Sequence, residues 1–147
     1  MGKFYNEEEL SKKILDLEVG DRFATKWRTM TQTDLELNAI VNGDYHPMFF
    51  SEEAAKNMGW KTTLFPGLVT LNIAIGLLIQ SRVTIDTIGF LGMDKIKFRA
   101  PVYPGDTIRF ELELVSKKQN SKKQWIIDYK FEVKNDKDEV CIEGYNC

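Results

Sequence analysis

At 147 residues, 43% hydrophobic and 29% charged, the chain is long and apolar enough to bury its own core, which excludes intrinsic disorder and points to one domain over residues 1–147. Its 20 basic residues nearly balance its 22 acidic ones, so no global field argues for a nucleic acid or an anionic membrane as partner. The only two cysteines, Cys141 and Cys147, predict a reducing cytoplasm, no disulfide framework and, for want of ligands, no metal site.

The first ten residues lack an apolar stretch between a basic start and a small-residue cleavage site, so secretion has no support. Residues 1–18 read as an N-terminal extension or short helix, because Leu10, Ile14 and Leu17 take a helix-like spacing on a charged segment. Val19-Gly20-Asp21 reads as a turn, and residues 22–30 alternate as a first strand. Thr31 and Thr33 offer hydroxyl caps and Asp34 an early acid ahead of Leu35, Leu37, Ile40 and Val41. This predicts a helix of about two to three turns that stops at Asn42-Gly43. Ser51 caps a second short helix, which Gly59 ends.

Pro66 opens a third helix over residues 66–81, apolar on nearly every side, and such a helix in a soluble protein must be surrounded by protein. The apolar run is broken by Pro66, Thr70 and Asn72 and falls short of the roughly 20 residues of a membrane span. The period then changes to two. Residues 83–91 read as a strand, as do Ile96 and Phe98 alternating with Lys95, Lys97 and Arg99. Ile108, Phe110, Leu112 and Leu114 alternate with charge; Trp125, Ile127, Tyr129, Phe131 and Val133 follow, and a last strand covers 139–145. The fold class is α+β: a curved antiparallel sheet of about five strands wrapped around a long central helix.

The loop between the first two helices holds the only histidine, His46, two residues from Asp44 and between Gly43 and Pro47. Loops on a rigid scaffold are where chemistry is placed. A carboxylate and an imidazole on the same side of an extended loop can share one water, with Asp44 as base. The opening turn of the third helix leaves the N–H groups of Gly67 and Leu68 unpaired and partly positive, suited to an oxyanion. Each reading has a structural competitor. Asp44 can close its own turn, His46 can merely orient the loop, Phe49 and Phe50 can be core aromatics, and Gly67 can serve close packing. Lys117, Lys118, Lys122 and Lys123, with Arg82 and Arg99, are possible phosphate contacts, although a charge run is more often a solvated turn.

Three segments carry a resemblance: Asn42-Gly43-Asp44-Tyr45-His46-Pro47, Phe65-Pro66-Gly67-Leu68, and Phe98 through Thr107 with its Pro104-Gly105-Asp106 turn. In this order they resemble the MaoC-like dehydratase family of the hotdog fold, which includes the (R)-specific enoyl-CoA hydratases. The resemblance implies homodimers or higher oligomers built from them, with sheets joined edge to edge, and a channel for an acyl thioester of coenzyme A or of a carrier protein. It implies Asp44 as catalytic residue, to which the loop chemistry adds His46 as a candidate partner, and Phe49, Phe65, Pro66, Gly67 and Leu68 as substrate contacts. No cofactor is implied. The family's histidine aligns with Phe49, the aspartate that often follows it with Ser51, and the histidine before the helix glycine with Pro66. The leading expectation is reversible hydration of a 2-enoyl thioester. Thioester hydrolysis, and a non-catalytic acyl-binding or regulatory subunit, stand as alternatives.

Overall fold

The structure, a computed structural model, describes residues 2–8 and 12–147. It consists of β1 (Phe4–Asn6), β2 (Arg22–Ala24), β3 (Arg28–Thr29), α1 (Gln32–Asn42), α2 (Glu52–Asn57), α3 (Gly67–Gln80), β4 (Met93–Phe98), β5 (Thr107–Gln119), β6 (Trp125–Asn135) and β7 (Val140–Asn146). The strands form one sheet in the order β1-β2-β5-β6-β7-β4, with β3 also on β5. Every pairing except β1 with β2 is antiparallel. The expected α+β arrangement of a sheet on one long helix is present.

The period-two pattern explains which face carries the helix. Phe110 pairs with Val133, Leu112 with Phe131 and Leu114 with Tyr129 across β5 and β6, and Val133 with Ile142 across β6 and β7. All are buried, and they share a core with Val69, Leu71, Ile73, Ala74 and Leu78 of α3. Phe110 and Phe131 stack with centroids 5.2 Å apart, while Tyr129 meets Phe110 edge-on. Burying side chains of this size contributes about 1.5–3 kcal/mol each, so this layer is where cohesion is concentrated.

The opposite face is charged, yet one of its carboxylates is not solvated. Glu111 is 4% exposed at its side chain, with Arg109 at 2.8 Å, Arg22 at 3.0 Å and Lys134 at 3.4 Å. The Arg109 guanidinium also lies 4.5 Å from the Trp27 ring centre, which helps close this cluster over the strand.

Several expectations are corrected. Residues 4–6 form a strand rather than the start of a surface helix, since the free edge of β2 accepts them in parallel. Asp21 anchors them through the Lys3 N–H at 2.8 Å. Ile14–Asp16 is a single 3₁₀ turn, and Leu10 lies outside the described residues. The single strand expected over 22–30 splits because the Thr25 hydroxyl accepts the Phe110 N–H at 3.0 Å and donates to the Lys26 carbonyl at 2.9 Å, lifting the chain off the ladder. Residues 83–91 are not a strand; Arg82 enters the left-handed region at φ 67° and successive turns follow. Finally, α3 is not covered all round: Leu68 and Ile79 are exposed at 72% and 48%. No helix among the described residues is long and apolar enough to cross a membrane.

Removing the Glu111 carboxylate strands three cations over the sheet. We expect Glu111→Ala to lower unfolding free energy by about 2–4 kcal/mol, discounted because Arg22 is substantially solvated; an unchanged denaturant midpoint shows that the cluster contributes nothing.

Candidate active site

Asp44 is placed by the end of α1. That helix starts at Thr31, whose hydroxyl accepts the Asp34 N–H at 3.1 Å while the Asp34 carboxylate accepts the Thr31 N–H at 2.9 Å, a reciprocal cap. Arg28 adds an ion pair to Asp34 at 2.8 Å. Hydrogen bonds from Thr31 together with the Arg28 charge hold the Asp34 carboxyl below its ordinary range, against the opposing effect of burial. The helix stops at Gly43, whose φ of 72° suits a residue without a side chain. Gly43 and Asp44 both donate their N–H to the Ala39 carbonyl, at 2.8 and 3.2 Å. The turn is therefore made by backbone, and among the described residues the Asp44 carboxylate has no hydrogen-bonding or ionic partner.

His46 is engaged elsewhere. Its Nδ1 accepts the Met48 N–H at 3.3 Å, capping the 3₁₀ turn Pro47–Phe49, and its ring is exposed. That turn delivers Phe49 to the core, where it is 5% exposed. Ser51 then caps α2 by accepting the Ala54 N–H at 3.1 Å.

The second wall is the start of α3. The Phe65 N–H donates to the Val102 carbonyl at 2.9 Å, tying this end to the segment after β4. The N–H groups of Val69 and Thr70 both reach the Pro66 carbonyl, whereas those of Gly67 and Leu68 have no acceptor among the described residues. Phe98 packs its ring directly on Gly67, so a methyl group there would collide with it.

These elements enclose a cleft of ≈ 540 Å³. Asp44, Phe49, Phe65, Pro66, Gly67 and Leu68 all line it, so six of the seven expected site residues share one space. His46 does not line it. The rest of the wall comes from Met48, Trp60, Leu64, Thr70, residues 98–102 and Ile142, which no contiguous sequence pattern brings together. Two of these are polar. Arg99 is held by Glu143 at 2.6 Å, and this pair keeps the Glu143 carboxyl below its usual range. Thr70 is 1% exposed and its Oγ1 has no hydrogen-bond partner among the described residues, an orphan that costs about 1–3 kcal/mol. A buried, unsatisfied hydroxyl is a tertiary property, and nothing in the spacing of residues 66–81 signals it.

Other candidates fall away on geometry. Lys117 donates to the Leu17 carbonyl at 2.7 Å and so anchors the N-terminal segment. Burial pushes the Cys141 thiol up to about 11, too high for a nucleophile near neutrality. A smaller depression of ≈ 250 Å³ beside Lys130 has Arg22 and Glu111 in its wall, and these two are already paired with one another.

The MaoC-like domain model matches residues 16–135. Over 132 residues the chain is 29% identical to Protein MaoC of Klebsiella aerogenes, covering 88% of this chain and 38% of that protein. It is 27% identical over 143 residues to beta-methylmalyl-CoA dehydratase of Chloroflexus aurantiacus, covering 97% and 38%. The chain thus spans well under half the length of these two relatives. The solved monoamine oxidase regulatory protein from Archaeoglobus fulgidus superposes with a TM-score of 0.81 at 27% identity, over 99% of this chain and 94% of that one. Solved proteins of this architecture include complexes of two different chains. The sheet-wrapped helix is the hotdog fold, and the chain belongs to the MaoC-like dehydratase domain family.

Proposed function

We propose that the chain adds water reversibly to the double bond of a 2-enoyl thioester, carried by coenzyme A or a carrier protein. The observation that carries this reading is one cleft lined by both Asp44 and the Gly67–Leu68 turn, whose N–H groups have no acceptor among the described residues. The dehydratase among its relatives supports the same reaction class.

The chemistry needs a proton acceptor, a proton donor and a place for charge. Asp44 takes a proton from water as the oxygen bonds to the third acyl carbon. The double-bond electrons shift toward the thioester oxygen, where the two N–H groups and the positive end of α3 meet the developing charge. The carboxylic acid so formed then gives its proton to the second carbon, restoring the carbonyl and the carboxylate. Among the described residues on the wall, Asp44 is the one carboxylate, and neither imidazole nor thiol accompanies it. It therefore serves as base and acid in turn, while Phe49 supplies apolar surface for the acyl chain and His46 holds the loop.

That same inventory supports a second reading. One carboxylate directing water at the carbonyl carbon, with the same oxyanion donors, is enough for thioester hydrolysis. A binding subunit without turnover is the third. For assembly we propose a second copy of this chain on the uncovered α3 stripe and the β4 edge, beside the exposed Ile88, Phe90 and Leu91. The unbridged Cys141 and Cys147 fit work in a reducing cytoplasm.

With crotonyl-CoA we expect loss of enoyl absorbance without release of thiol. Thiol release instead selects hydrolysis, and silence in both assays selects the binding subunit. Asp44→Asn is expected to cut the rate by about 10²–10⁴-fold with the melting curve unchanged; a fully active variant removes Asp44 from the mechanism. His46→Ala is expected to keep the rate constant of the chemical step within about threefold, losing only the cap, worth roughly 0.5–1 kcal/mol in denaturant unfolding. A loss of activity as deep as that of Asp44→Asn makes His46 catalytic.

A further inference from the structure

β4 ends the sheet beside the cleft, and it is not regular. Met93 pairs with Asn146 and Asp94 with Tyr145, but Lys97 pairs with Glu143 and Phe98 with Ile142, so between the two stretches β4 carries one residue more than β7. Lys95, inside this bulge, sits at φ 53°, the left-handed region that such a bulge ordinarily gives to glycine. The bulge decides which side chain meets α3. Residues directly opposite in an antiparallel pair share a face, and Ile142 is buried in the core. Continued without the extra residue, the first register would set Lys97 against Ile142 and give the core face to a lysine. With it, Phe98 takes that place.

Phe98 does not use that place to bury itself. Its ring lies where a side chain on Gly67 would be, yet the residue stays 52% exposed and lines the cleft. Ile96, by contrast, packs against the core with its side chain over Gly144. What the Phe98 ring bears on is the first residue of α3. The other two helices are fixed at that end by hydroxyls, Thr31 for α1 and Ser51 for α2, whereas Pro66 offers α3 no side-chain cap. Gly67 has no side chain of its own to pack, and its N–H has no acceptor among the described residues. Contact with the ring therefore does for this turn what a cap does for the others.

We propose that Phe98 is a positioning residue for the oxyanion donors: its ring, brought onto the core face by the strained bulge at Lys95, holds the Gly67 amide where a thioester carbonyl meets it. This rests on the thioester reading of the cleft and adds to it a residue that acts through Gly67. Loss of the ring leaves the other walls of the cleft in place, so binding persists while the donor drifts. A reacting group displaced by about 1 Å costs about 10²-fold in rate.

The probe is a butyryl-CoA analogue in which a methylene group replaces the thioester sulfur, labelled with carbon-13 at the carbonyl, so that neither water addition nor hydrolysis consumes it. Difference infrared spectra read the hydrogen bonding of that carbonyl, and calorimetry reads affinity. In wild type the bound carbonyl band is expected at lower frequency than in water. Phe98→Ala is expected to bind within about threefold of wild type, to return the band toward its position in water and, with crotonyl-CoA, to lose about 10²-fold in kcat with little change in KM. Phe98→Tyr, which keeps a ring on Gly67, is expected to keep both band and rate. A wild-type band in Phe98→Ala overturns the role of Phe98 and leaves the thioester site standing. A rate loss that accompanies a changed oligomeric state in sedimentation, with the band unmoved, overturns it too and makes the ring a subunit contact. Wild-type protein that fails to bind the analogue, or binds it with an unshifted carbonyl, overturns the oxyanion site itself, and this assignment with it.

Discussion

The structure depends on how one end of one helix is pinned. α3 is held to the sheet by non-directional apolar packing, which fixes its depth but does not aim its N-terminus. Two short-range contacts supply the aim: the Phe65 N–H to the Val102 carbonyl, and the Phe98 ring lying on Gly67 where no side chain could fit. Because the helix is anchored there, Gly67 and Leu68, whose N–H groups have no acceptor among the described residues, line the cleft.

The cleft is a meeting of three segments far apart in the chain. The α1 to α2 connection brings Asp44 and Phe49, the α3 entrance brings Pro66, Gly67 and Thr70, and the end of β4 with β7 brings residues 98–102 and Ile142. Each is positioned by its own local device: a left-handed Gly43, a proline before the first helical turn, and antiparallel pairing of Phe98 with Ile142. The division of charge follows the same logic. Glu111 on the outer face is surrounded by cations, whereas Asp44 lines the cleft and has no hydrogen-bonding or ionic partner among the described residues.

The uncovered stripe on α3 has a direct physical reading. Leu68 and Ile79 lie on one side of a helix whose other sides are buried, so one sheet suffices for part of its circumference only. The composition of α3 does not reveal this, since the helix is apolar on nearly every side. Only the position of the sheet distinguishes a core face from an open one.

Local chemistry made a good deal of this legible in the amino-acid order. The caps at Thr31, Ser51 and Gly43 need only neighbouring residues, and the alternation in β5 to β7 follows from a two-residue repeat, so those elements were readable directly. Asp44, Phe49 and Gly67, which line the cleft, could be singled out beforehand because each sits in a motif of adjacent residues. Residues 4–6 joining an edge, residues 83–91 turning instead of extending, and His46 bonding Met48 were decided by neighbours that the linear spacing does not name. The buried Thr70 hydroxyl belongs to the same class: whether a polar atom finds a partner depends on what packing brings within hydrogen-bonding distance, and only the tertiary structure sets that distance.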